Sequence, residues 1–203
     1  MQLASPLSRL FFALAAVAVF TFSYYLGNRY AHPRRGQIQA FAFPDPVKVA
    51  PFRLVDKEGN PFTEADLLGH WNFVVTGDLD RGQCRTLLFR YVLAWNDLAA
   101  RPKLQRKTRV VFLALGRKSR SPAELKKFID FFNLAFTAID GAPAQKEALA
   151  RQLGVPESAL RDGVRCDSQN GVVALIDPKG FLLALFTGVT DPAVIAHDLR
   201  YFQ

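Results

Sequence analysis

The chain has 203 residues, half of them hydrophobic and 18 of them phenylalanine, which excludes an intrinsically disordered protein. Its two cysteines, Cys84 and Cys166, are too few for a disulfide framework, although one bond between them stays open; no zinc-finger, P-loop or RNP-type motif and no internal repeat occurs. The net charge is +8, of which Arg9, Arg29, Arg34 and Arg35 supply +4 because no acid precedes Asp45; the +4 left on the rest favours anionic lipid or an acidic partner over nucleic acid.

Leu10 to Leu26 runs LFFALAAVAVFTFSYYL without a charge. With Pro6 to Ser8 and Gly27 this stretch approaches the ~20 residues needed to cross a bilayer. Tyr24, Tyr25 and Tyr30 stand where an aromatic belt is expected. A cleaved signal peptide is the alternative, but its apolar region would be unusually long and no small-x-small site precedes the arginine cluster. The expected organisation is a tail at 1–9, a transmembrane anchor at 10–27, a linker at 28–50 and one domain at 51–203. The linker reading rests on His32, Pro33, Gly36, Pro44 and Pro46 in a stretch without periodicity.

In chain order, Phe52 to Val55 predicts a short strand, followed by a turn at Lys57 to Asn60. Thr63-Glu64-Ala65-Asp66 reads as a capping box opening a short helix that Gly69 ends. Trp71 to Thr76 predicts a buried strand. A helix from Cys84 to about Ala100 is predicted to bury Leu88, Val92, Trp95 and Ala99. Arg109 to Leu115 is a continuous apolar strand of the kind covered on both faces. Ser121, Pro122 and Glu124 place an N-cap, a proline at N1 and a glutamate at N3 before a face of Leu125, Phe128, Ile129 and Phe132. A strand from Ala135 to Ile139 and a helix from Ala144 to Leu153 follow, the latter stopped by Gly154 and Pro156. Gly171–Ile176 and Phe181–Thr187 form a hairpin about Asp177-Pro178-Lys179-Gly180, and Asp191-Pro192 caps a last helix to about Tyr201. That order predicts an α/β fold with a mixed central sheet flanked by helices.

A cysteine at a helix start, a second βα unit and a late hairpin resemble the thioredoxin-like fold. Four segments are similar to more specific markers of the Sco/SenC family: Phe52 to Gly59 with Pro61-Phe62-Thr63, Leu68-Gly69-His70-Trp71, Ser121 to Leu125, and Ala174 to Gly180. The resemblance spans Phe52 to Gln203. It implies a copper-handling protein of cytochrome c oxidase assembly, with a Cys-x-x-x-Cys pair at the helix start and a histidine before the late hairpin. Two thiolates and an imidazole suit copper. In this chain the matching loop is Asp80-Arg81-Gly82-Gln83-Cys84. Cys84 falls on the second cysteine, Asp80 on the first, and the histidine position falls near Gln169. Arg81 and Arg85 replace the prolines the resemblance leads one to expect. The segment Gly116 to Arg120 lacks the expected acidic residues.

Only one of three ligands is thus in register, and Asp80 cannot resolve a thiol exchange. Cys166 lies three residues before Gln169, in a loop that the resembled fold turns toward the start of the Cys84 helix. Three outcomes stay open: a Cys84–Cys166 disulfide, a rearranged copper site of Cys84 and Cys166 with Asp80 or Asp167, or two unrelated thiols. Asp80 with Asp167 as an acid/base pair is a weaker alternative than two solvated carboxylates. His32, His70 and His197 share no metal-ligand spacing. The basic runs Lys103, Arg106, Lys107, Arg109 and Arg117, Lys118, Arg120, Lys126, Lys127 read first as solvated faces, and second as contacts for anionic lipid or an acidic oxidase subunit.

The resemblance implies an accessory protein, held in the inner membrane by one span with its domain in the periplasm of a Gram-negative cell, binding a cytochrome c oxidase subunit or assembly factor rather than turning over substrate. The charge count, with Arg29, Arg34 and Arg35 on the domain side against Arg9, favours the opposite topology. Two other readings remain: a thiol–disulfide oxidoreductase or peroxidase with Cys84 as its catalytic residue, alone or with Cys166, and a tethered interaction domain unrelated to copper.

Overall fold

The computed structural model describes residues 14–24, 38–79, 84–116, 118–164, 166, 171–187 and 191–203. The chain divides into a unit of residues 1–37 and a unit of residues 38–203. In the first, residues 14–24 are helical with exposed side chains. Among the described residues no helix is long and apolar enough to cross a membrane. The expected span, 10–27, runs past both ends of that helix into residues outside the described set.

The second unit is built on one eight-stranded sheet: β1 (Phe41–Lys48), β2 (Arg53–Asp56), β3 (Pro61–Thr63), β4 (Trp71–Gly77), β5 (Thr108–Ala114), β6 (Thr137–Asp140), β7 (Val172–Ile176) and β8 (Phe181–Thr187). The strand order is β1-β8-β7-β4-β5-β6-β2-β3. Strands β4, β5 and β6 run parallel, and every other neighbouring pair is antiparallel. The helices are α1 (Cys84–Asp97), α2 (Pro102–Arg106), α3 (Pro122–Ile129), α4 (Pro143–Gln152), α5 (Glu157–Asp162) and α6 (Pro192–Tyr201), with 3-10 turns at Glu64–Leu67 and Leu98–Ala100. This is the mixed α/β arrangement that the element order predicts, and it matches the thioredoxin-like fold that the resemblance implies.

The continuous apolar runs became the central strands. All seven residues of β4 and all five of β7 are buried, because helices cover both faces of the sheet. Neighbouring residues of one strand serve opposite cores. Phe73, Val75, Val110, Phe112 and Ala114 pack with Leu88 and Tyr91 of α1, Leu125 of α3 and Ile195 of α6. Val74, Val111, Leu113, Val172 and Ala174 pack with Leu149 and Leu153 and with Ala159 of α5. Local capping sets the helix starts. Ser121 Oγ accepts from Glu124 N while the Glu124 carboxylate accepts from Ser121 N, with Pro122 at N1. The Asp191 carboxylate accepts from Ala193 N at the start of α6.

Two expectations need correction, and three elements were not expected. The stretch 28–50, read as a linker, contains β1, so the sheet starts ten residues before the expected boundary at 51. Pro44 and Pro46 misled the reading. They lie between Ala42 and Val47, where the register against β8 shifts, on the sheet's edge strand; a bulge on an edge needs no donor from either proline. The buried face of α1 is Cys84, Leu87, Leu88, Tyr91 and Ala94, continued by Leu98 of the following 3-10 turn, whereas Val92 and Trp95 are half-buried and Ala99 is exposed. The predicted stripe therefore lay toward one side of the true face. Finally, β3, α2 and α5 are elements too short for their patterns to separate from turns.

Candidate functional site: the Cys84–Cys166 junction

The site lies where β4 ends. Parallel pairing of β4 with β5 carries the chain out at Gly77, and α1 starts at Cys84. Strand β7 is antiparallel to β4 on the other side, with Val75 opposite Val173, so β7 begins beside the end of β4. Thr76 Oγ1 donates to Val172 O at 2.8 Å and ties these ends together. Cys166, between α5 and β7, is thereby delivered to Cys84 across 82 positions of sequence.

The two cysteines form a disulfide with Cα atoms 4.8 Å apart, well inside the ~7 Å beyond which bridging fails. Both are 2% exposed. Cys84 Sγ lies 3.5 Å from Asp78 O, and Cys166 Sγ lies 3.6 Å from Thr76 O. Neither is a hydrogen bond while the sulfurs are joined, since a disulfide sulfur carries no proton. Gly77 makes the bond possible: a Cβ there would collide with both sulfurs and come 3.3 Å from the Phe112 ring. A glycine at the end of an apolar strand marks such a close approach, a signal that the sequence carries but that was not taken up. Because Cys84 opens a 14-residue helix, the positive end of the α1 dipole favours a thiolate there once the bond is reduced.

Among the described residues, the other candidates do not gather into one centre. Asp80, Asp167, Gln169 and Arg117 lie outside the described residues, as does His32. His70 precedes β4 with Nδ1 3.0 Å from Leu68 O. His197 is on α6 with Nδ1 3.2 Å from Asp198 Oδ1. Among the described residues no group of three or more His, Cys, Asp or Glu side chains is arranged to hold a metal. Several basic residues are neutralised or engaged locally. Lys126 pairs with Glu58 at 2.7 Å, which raises its pKa, and Arg109 donates to Asp66 O at 3.1 Å.

A second buried bond stands at the end of β6. Lys146 Nζ and Asp140 Oδ1 are 2.8 Å apart with both side chains 2% exposed. Asp140 also accepts from Gly141 N and Arg120 N at 2.7 Å each, so it fixes the loop that leads into α3. Sequence reasoning passed over this pair. Its one local hint is a lysine in the first turn of a helix, against the dipole.

The sequence profile of the SCO1/SenC family matches residues 43–202. A Stutzerimonas stutzeri protein named for copper binding is 24% identical over 153 residues, covering 72% of each chain. Yeast Sco1 with copper bound is similar in structure, with a TM-score of 0.64 at 20% identity over 78% of this chain and 93% of the yeast one. Apo Sco1 from Thermus thermophilus gives a TM-score of 0.66 at 17% identity, over 84% of this chain and all of that one. The fold, the element order and a profile match over most of its length agree: this chain belongs to the SCO1/SenC family.

Proposed function

We propose that this protein is a membrane-anchored accessory factor acting in or near copper delivery and cytochrome c oxidase assembly, by binding a partner rather than by turnover. The Cys84–Cys166 disulfide carries this reading. It puts the chain's only two thiol groups together at the helix start on which the family resemblance centres. Copper(I) is the cargo in this account. In the oxidised state neither sulfur is a thiolate, and the pair offers copper nothing. A dithiol protein reduces it with two electrons and two protons, leaving two thiols here and a disulfide on the donor. Deprotonated, the two soft sulfurs suit copper(I). Both cysteines are buried, so exchange requires a docked partner rather than a free substrate. That favours a partner-operated switch over a turnover oxidoreductase.

The anchor at 10–27 and a periplasmic domain complete the proposal. A disulfide between distant residues is at home in an oxidising compartment, which supports the topology that the charge count opposes. Copper binding in the named relatives supports the choice of cargo.

The test is a deletion strain complemented with wild-type chain or Cys84→Ser, with assembled oxidase measured by its haem spectrum. The deletion is expected to lower assembled oxidase, wild type to restore it, and Cys84→Ser to fail. Normal oxidase in the deletion strain would overturn the assembly role. Full rescue by Cys84→Ser would overturn the role of the thiols.

A further inference from the structure

Beside the disulfide lies an aromatic cleft that nothing in the proposed copper chemistry uses. Its volume is about 390 Å³, and Arg85, Glu124, Lys127, Phe128, Phe131 and Phe132 line it. Phe89, one turn along α1 from Arg85, stacks against it, with ring centroids 5.1 Å from Phe132 and 6.1 Å from Phe131. Phe89 is 47% exposed and Phe131 is 66% exposed. Large aromatic rings left in water and gathered about a concavity mark an interaction surface rather than an unburied core. The rings are also held firmly from below: Phe131, Phe132, Phe128 and Phe112 follow one another at centroid separations of 5.3, 5.4 and 5.3 Å.

The charges on the rim state what would fit. Arg85 and Lys127 make no ion pair or side-chain hydrogen bond among the described residues. Glu124, on the same rim, directs its carboxylate elsewhere: one oxygen accepts from Ser121 N and Ser121 Oγ, and the other faces Arg120 at 3.5 Å. The cleft therefore presents apolar walls and two uncommitted cations.

We propose that this cleft is the docking site for an acidic segment of a partner protein that lays an aromatic side chain against Phe131 and Phe132 and places carboxylates on Arg85 and Lys127. A second copy of the chain is a poor occupant, since a net charge of +8 opposes a cationic rim. An anionic bilayer is a poor one too. Lipid surfaces are read by clusters of roughly 4–8 cations, and a concave cleft receives a side chain better than it enters a membrane. Because Arg85 adjoins Cys84, a partner docked here lies next to the disulfide. The inference goes beyond the copper reading and does not depend on it.

The experiment uses the full chain in nanodiscs of zwitterionic lipid and three fluorescent peptide probes. One is rich in Asp and Glu about a single Trp, one has Lys in place of the acids, and one has Ala in place of the Trp. By anisotropy the first is expected to bind, at least tenfold tighter than either other, and to weaken with salt. Phe131→Ala should weaken it about tenfold. The double variant Arg85→Glu with Lys127→Glu should reverse the preference toward the Lys probe, a gain that misfolding cannot produce. No binding of the acidic probe up to about 1 mM, or equal binding of all three, overturns the proposal. So does Phe131-dependent self-association, or Phe131-dependent binding to vesicles of anionic lipid without affinity for the acidic probe.

Discussion

The two faces of the sheet are filled with different side chains and closed by different bonds. The face under α1, α3 and α6 is aromatic, with Trp71, Phe73, Tyr91, Phe112, Phe136 and Phe186. The face under α4 and α5 is mainly aliphatic, with Val74, Val111, Leu113, Ile139, Leu149 and Leu153. Two buried cross-connections stand at the ends of parallel strands: Cys84–Cys166 beyond β4, within the aromatic cluster, and Lys146–Asp140 at the end of β6, reached from α4 of the aliphatic side. The positions are comparable and the chemistries are not. A disulfide opens and closes with redox poise, whereas a buried ion pair is broken only by removing a charge. One face is therefore suited to switching and the other to holding, and the exposed cleft lies on the switching side.

Removing the covalent link should have the largest effect. Cys166→Ser frees a loop of 82 positions, for which the chain-entropy relation gives roughly 4.5 kcal/mol. Urea unfolding of the oxidised protein measures it, and a loss under about 1 kcal/mol would deny the bond a structural role. Gly77→Ala should reach the same state with both cysteines present: titration of the unreduced, denatured chain should find two thiols where the wild type has none.

The ion pair comes next. Lys146→Met leaves a buried carboxylate with two backbone donors among the described residues, at a cost of about 3 kcal/mol. Asp140→Asn with Lys146→Met should lose less than the two single changes summed. Strict additivity would show that the two side chains are not coupled. A reductant should destabilise wild type and Lys146→Met by equal amounts, which keeps the two faces distinct.

The smallest effect is at the start of α3. Ser121→Ala should cost about 1 kcal/mol at neutral pH. The backbone N–H of Ser121, its hydroxyl and the Arg120 charge hold the Glu124 pKa below its ordinary value. A carboxylate whose folded pKa is lowered contributes stability above its unfolded pKa and loses it as pH falls through the folded value. The Ser121→Ala deficit should therefore shrink in acid. A deficit independent of pH would separate the cap from Glu124.

Much of this was legible because local signals agreed with the fold. The buried runs of β4, β5 and β7, the turn at Asp177-Pro178-Lys179-Gly180 and the capping residues Ser121 and Asp191 each state their structure within a few residues. What was not legible depends on neighbours. Pro44 and Pro46 read as linker because only the pairing of β1 with β8 reveals an edge with a bulge. Lys146 drew no reading because its partner belongs to the preceding strand. The Cys84–Cys166 bond stayed one of three alternatives because no local pattern links residues 82 apart. It follows from the antiparallel register of β4 and β7, and from the missing side chain at Gly77.

In the proposed function one pair of sulfurs passes between a closed disulfide and an open copper site. Copper(I) titration of the full chain against a competing chelator, in oxidised and reduced forms, tests it most directly. One copper(I) is expected per reduced chain, none in the oxidised chain, with binding lost in Cys166→Ser. Equal binding by oxidised and reduced chains, or by the variant without Cys166, would contradict it.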